Sequence, residues 1–124
     1  MNPFYKFLGK EDHLQNMVIN YIKLQHPNAL VIHPYNEGRR TPFERFKFKF
    51  LGGIAGVPDV LIFTPNQNKN GLAIELKVGR NKPTKNQNQM MDALRSCKWS
   101  VHWCNDFDKC KQIIDLYFFE NVLE

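Results

Sequence analysis

No stretch of this 124-residue chain approaches the eighteen or so apolar residues that a membrane span requires. Its N-terminus, MNPFYKFLGKED, also lacks the apolar core of a secretory signal. An intracellular, cytoplasmic protein is therefore expected. Internal repeats and low-complexity tracts are missing, which sets aside solenoid, collagen-like and disordered classes. Cysteine is scarce: Cys97, Cys104 and Cys110 are odd in number and show no CxxC or Cys/His spacing of a zinc site. They read as reduced thiols used for packing. Acid is absent from residues 77–85, where Lys77, Arg80, Lys82 and Lys85 give a local charge of +4.

What is present suits one globular domain over residues 1–124. A chain 43% hydrophobic and 13% aromatic can fill a core without disulfide staples. The formal charge of +5 is unevenly spread. In residues 36–52, Arg39, Arg40, Arg45, Lys47 and Lys49 outweigh Glu37 and Glu44 by three, so the chain outside the two basic segments nets −2. Positive charge gathered in this way points to a polyanion, nucleic acid first; a solvated basic face is the plain alternative.

Apolar spacing from Glu11 through Leu14, Val18, Ile19 and Ile22 predicts a helix to about Gln25, ending before Pro27. NALVIHP (28–34) predicts a short strand. Thr41-Pro42-Phe43-Glu44 carries a capping-box start and favours a short helix over the strand-like alternation of RFKFKF. Phe43, Phe46 and Phe50 fit that helix, and Phe48 does not. These rings are read foremost as core, with a dimer face or a wedge against unpaired bases as alternatives. VLIF (60–63) and LAIELKV (72–78) predict strands around a polar turn, PNQNKNG. A helix over 84–97 opens on the capping box Thr84-x-x-Gln87; a strand over 99–104 and an amphipathic C-terminal helix follow. The class is α/β, a mixed sheet flanked by helices.

One feature resists a purely structural explanation. Glu75 and Lys77 lie two apart in an otherwise apolar strand, and so on one face of the sheet. An antiparallel hairpin with its turn centred on Gln67 sets Asp59 opposite Glu75, where side chains stand about 5 Å apart. Facing like charges destabilise a sheet, and a hard divalent cation, Mg²⁺ or Mn²⁺, removes the conflict. Lys77 beside them is placed to act on a phosphate. An ordinary ion pair of Lys77 with either acid is the competing reading.

Pro58-Asp59 followed by Glu75-Leu76-Lys77 resembles the PD-(D/E)xK signature of restriction-endonuclease-like nucleases. Asn36-Glu37-Gly38, Gly53-x-x-Gly56-Val57-Pro58-Asp59, Ile74-Glu75-Leu76-Lys77 and Thr84-x-x-Gln87 with Leu94 together are similar to the VRR-NUC branch, from about Glu11 to Tyr117. The resemblance implies a restriction-endonuclease-like core, αβββαβ with a C-terminal helix. It implies metal ligation by Asp59, Glu75 and the Leu76 carbonyl, with Lys77 as the catalytic lysine. Glu11 is the matching acid on the first helix, or else a helix-start residue. Gln87 matches a further family position, either catalytic or occupied with its cap. Asn36 and Glu37 are expected in the cleft. Arg39, Arg40, Lys47, Lys49, Arg80, Lys82 and Lys85 are candidates for backbone contacts to DNA. Small stand-alone relatives, often from phages, imply a homodimeric endonuclease of branched DNA such as Holliday junctions, with roles in repair and recombination. Cleavage of flaps or single strands, and a non-catalytic nucleic-acid-binding module, are the alternatives.

Overall fold

The computed structural model describes residues 2–34 and 40–122. The expectations for Asn36, Glu37 and Arg39 lie outside the described residues. The chain begins with a 3-10 helix, Pro3–Phe7, absent from the sequence-based expectation; the Asn2 side chain caps it by accepting the Phe4 N–H at 2.9 Å. Helix α1, Lys10–Gln25, starts where the Asp12 carboxylate accepts the Gly9 N–H at 2.9 Å, and ends ahead of Pro27 as predicted. Then come β1 (Val31–Ile32), α2 (Pro42–Phe50), β2 (Val60–Ile62), β3 (Leu72–Leu76), α3 (Lys85–Ser96), β4 (Ser100–Cys104) and α4 (Phe107–Val122).

The strands form one sheet in the order β1-β2-β3-β4. The first three pair antiparallel, and β4 joins β3 in parallel, which requires the crossover that α3 supplies. Val60 and Ile62 of β2 and Leu72, Ile74 and Leu76 of β3 pack against Leu14, Val18 and Ile22 of α1 and Ile114 and Tyr117 of α4. On the opposite face Ala73 and Val101 meet Met91 of α3. Both faces of β3 are therefore covered, and all five of its residues are buried. Each fully buried Leu, Ile or Val here contributes about 1.5–3 kcal/mol of transfer free energy.

Two polar ties hold this layering. The Tyr21 hydroxyl donates to Asp115 at 2.6 Å from Oδ1 and 2.7 Å from Oδ2, joining α1 to α4. Burial, then the Asp115 hydrogen bond, pushes the Tyr21 pKa up to about 12. His26 at the end of α1 reaches the same carboxylate at 3.2 Å and stacks on Phe118, with ring centres 4.2 Å apart. In the hairpin turn, the Asn66 amide donates to the Tyr117 carbonyl at 3.0 Å, while the Tyr117 hydroxyl donates to Thr64 O at 2.7 Å.

Two expectations are corrected. Cys104 and Cys110 are not packed thiols: they form a disulfide, with Cα atoms 6.1 Å apart, and Cys97 is free and exposed. The chain reverses between β4 and α4, and that corner brings together cysteines only six residues apart. The phenylalanines of α2 do not complete the core. The predicted helix and its Thr41–Glu44 capping box are present, yet α2 buries no residue. Phe43, Phe46 and Phe50 remain 67%, 62% and 76% exposed. The core layers on the two sheet faces are supplied by α1 and α4 and by α3, and no α2 residue enters either. Phe48, the ring off the helical pattern, is the partly buried one: it lies under the Arg40 guanidinium, 3.9 Å from the ring centre, and against Gly53.

Tyr21→Phe removes the donor that ties α1 to α4. It should lower stability by about 1 kcal/mol. Urea titration should show this as a lower midpoint at unchanged m-value.

Candidate active site

The hairpin register is the expected one. The ladder pairs Val60 with Ile74, Leu61 with Ala73 and Ile62 with Leu72. One step beyond its last pair, Asp59 stands opposite Glu75, on the sheet face that α3 covers. At this position β2 has stopped being a strand, and the Asp59 side chain replaces the ladder: its Oδ2 accepts the Leu76 N–H at 2.9 Å. The Leu76 side chain points the other way, into the core. On its far edge β3 is held by β4, whose Cys104 carbonyl accepts the Lys77 N–H at 3.0 Å. Lys77 is thus fixed at the end of the ladder, with its amino nitrogen 3.9 Å from Glu75 Oε1.

Glu75 is only 2% exposed, the one charged residue in the core among those described. Its Oε1 accepts from the Gln87 amide at 3.3 Å, whereas Oε2 is buried with no hydrogen-bond partner. Burial above all, then Asp59 as hydrogen-bond partner and as charge, raises the Glu75 pKa to about 9; Lys77 opposes the shift and Glu11 adds to it. While both carboxyl groups are ionised, Oε2 has no donor. A proton shared with Asp59 or a bound cation relieves that state.

Gln87 serves as cap and site residue together. Its Oε1 accepts the Thr84 N–H at 2.8 Å and its own N–H donates to Thr84 Oγ1 at 3.2 Å, which orients the amide so that Nε2 faces Glu75. The first turn of α3 is brought close by Gly56. This glycine has φ +85°, and a Cβ there would stand 2.8 Å from the Asn86 carbonyl. No other residue allows both the left-handed backbone and the contact.

Asp59, Glu75 and Gln87 line a cavity of about 360 Å³ together with Glu11, His33, Arg40 and the Ala55–Val57 loop. Glu11 is therefore both a first-turn residue of α1 and a wall of the site. His33 carries no sequence motif and was not expected. It lies just after β1, and its Nδ1 donates to the Asp59 carbonyl at 2.6 Å. Of the candidate cationic contacts, Arg40 lines the cavity. Lys47 and Lys49 are exposed on α2, and Arg80, Lys82 and Lys85 are exposed between β3 and the start of α3.

The orphaned Glu75 oxygen beside Asp59 suits a divalent cation. Among the described residues no three His, Cys, Asp or Glu side chains converge as a ligand cluster. A closed zinc cage does not fit. Two carboxylates facing an open cavity fit Mg²⁺ or Mn²⁺, which take one or two carboxylates and leave positions for water and phosphate.

A mixed sheet with an acid at the end of one strand, Glu-x-Lys on its neighbour and helices on both faces defines a nuclease domain of the restriction-endonuclease-like class. The VRR-NUC domain model matches residues 6–107, and the chain belongs to the VRR-NUC family. A solved structure described as a VRR_NUC domain protein is 26% identical, covers 92% of each chain and superposes with a TM-score of 0.76. A second, described as a VRR_NUC domain, shares the fold at 21% identity and a TM-score of 0.60, over 89% of this chain and 99% of its own. No curated protein gives a significant match. The domain makes DNA the implied substrate, and no helix among the described residues is long and apolar enough to cross a membrane.

A carboxyl pKa raised on folding favours the fold most at low pH, and the gain is lost as pH rises through the folded value. Metal-free wild type should therefore lose melting temperature relative to Glu75→Gln between pH 5 and about 9. Paired thermal melts in EDTA across that range measure the difference; a flat difference would show Glu75 ionised throughout.

Proposed function

We propose that this VRR-NUC protein is a Mg²⁺- or Mn²⁺-dependent, structure-selective DNA endonuclease that hydrolyses phosphodiester bonds in branched DNA such as Holliday junctions. The observation that carries the reading is the buried, unpartnered Glu75 oxygen beside Asp59 at the floor of an open cavity. Asp59 and Glu75 would hold the cation, with the Leu76 carbonyl as a further ligand and Glu11 in the wall. A bound cation supplies Lewis acidity toward phosphate and water and cancels the repulsion of the carboxylates. Gln87 keeps Glu75 Oε1 oriented, and the Leu76 N–H keeps Asp59 turned toward it. Lys77, held by its backbone at the end of β3, places its amino group to stabilise charge developing on the phosphate. The products would carry 5′-phosphate and 3′-hydroxyl ends. Arg40 at the cavity, with Arg80, Lys82 and Lys85, would grip the DNA backbone and so favour shape over sequence. Such an enzyme works where DNA is handled, in the cytoplasm of the cell or of a phage host.

The exposed face of α2 supports a homodimer. Phe43, Phe46 and Phe50, with Leu51 and Ile54, each show more than half of their surface. Together they offer roughly 500–600 Å² of apolar area, near the upper limit of patches left bare on monomers. A two-fold contact of this face with itself would cover most of it and provide two active sites for paired cuts.

Purified protein should cut a four-way junction with Mg²⁺ or Mn²⁺ and leave it intact in EDTA. Asp59→Ala and Lys77→Ala should each lower kcat at least about a hundredfold while junction binding persists. A wild type that binds DNA yet cuts no branched, linear or single-stranded substrate with either metal would overturn the catalytic reading. Phe46→Glu should convert dimer to monomer in light scattering and uncouple paired junction cuts into single nicks.

A further inference from the structure

A second cavity, of about 340 Å³, opens on the other side of His33. His33 lines both it and the active-site cavity, so the two adjoin through one imidazole ring. The second cavity lies between the N-terminal 3-10 helix and the polar side of α1. Tyr5, Leu8 and Ile19 give it apolar walls, and Asp12, His13, Gln15 and Asn16 give it polar ones.

The composition of these walls selects the ligand. Among the described residues no lysine or arginine lines the cavity, and Asp12 contributes a carboxylate, which disfavours a phosphate. Gln15 Nε2 is buried with no hydrogen-bond partner, a donor lacking its acceptor. Asn16 Oδ1 already accepts from the Asn20 amide at 3.1 Å, which leaves the Asn16 NH₂ to donate as well. Since His33 Nδ1 donates to the Asp59 carbonyl, Nε2 is the ring nitrogen left for another partner. The walls thus combine amide donors, a carboxylate acceptor, imidazole nitrogens, and a tyrosine ring, about half exposed and available for stacking. A flat, uncharged heterocycle with both N–H donors and carbonyl or ring-nitrogen acceptors meets all of these demands.

We propose that this cavity receives one unpaired nucleobase of the bound DNA, next to the phosphate in the adjoining active site. The proposal rests on reading the first cavity as a DNA-cleavage site. A base taken from the stack would rest on Tyr5, satisfy Gln15 and fix the strand's register on the cleft. This gives a physical basis for preferring branched or distorted DNA, because an unpaired base at a branch is already free of the unstacking cost that duplex must meet.

The test separates this proposal from the chemistry. Binding of a four-way junction is measured in EDTA, with a single abasic nucleotide placed at successive positions through the branch. Wild type should lose about tenfold in affinity at one position, the worth of one stacked and hydrogen-bonded base. Gln15→Met and Tyr5→Leu should each bind the intact junction correspondingly more weakly and show little further loss at that position, whereas Tyr5→Phe should behave as wild type. Gln15→Met removes an unpartnered buried N–H at near-constant volume, so its melting temperature should hold. Base removal that costs wild type and both variants equally, or costs wild type nothing at any position, would overturn the proposal. Absence of cleavage once Mg²⁺ is added counts against the nuclease reading alone, because the pocket is read out without metal.

Discussion

The Asp59 and Glu75 carboxyl groups face each other where little water can separate them, and the surrounding elements are arranged to keep them there. Antiparallel pairing of β2 and β3 sets them opposite. The ladder ends one residue early, so that Asp59 bonds to the Leu76 N–H and not to solvent. Helix α3 closes over the pair and contributes Gln87, and β4 anchors Lys77 from the far side. Folding therefore stores an electrostatic conflict that a proton or a cation relieves.

Each neighbouring feature follows from holding that conflict in place. Gly56 brings the Ala55–Val57 loop close to the first turn of α3. The Thr84–Gln87 cap is at once a helix start and the device that aims an amide at Glu75. The hydrophobic layers on both sides of β3 remove solvent from Glu75, and that desolvation is the main cause of its raised pKa. The Tyr21–Asp115 and Asn66–Tyr117 ties lie on the opposite side of the sheet. They fasten α4 to α1 and to the turn of the hairpin that carries both acids.

Much of this was legible from local pattern. The order and approximate bounds of the four α-helices and four strands among the described residues followed from apolar spacing, prolines and capping boxes, because those signals act within a few residues. The hairpin register followed from a turn of known centre, and with it the pairing of Asp59 and Glu75. Other features depended on contacts distant in sequence. His33 carries no motif, and it reaches the site only because β1 pairs beside β2. The α2 phenylalanines have the spacing of a core-facing helix. They stay exposed because α1, α3 and α4, not α2, supply the core layers against the sheet. The Cys104–Cys110 bond depended on how sharply the chain turns from β4 into α4, which cysteine spacing does not encode.

By itself the sequence determined that Asp59 would stand opposite Glu75, with Lys77 on the same strand face, since side-chain alternation and turn length are short-range properties of the backbone. Only the tertiary structure decided how buried Glu75 is, that one of its oxygens has no partner, and that a second cavity adjoins the first through His33. Burial and unmet hydrogen bonds are properties of the space between elements, and that space exists only once the sheet is covered on both faces.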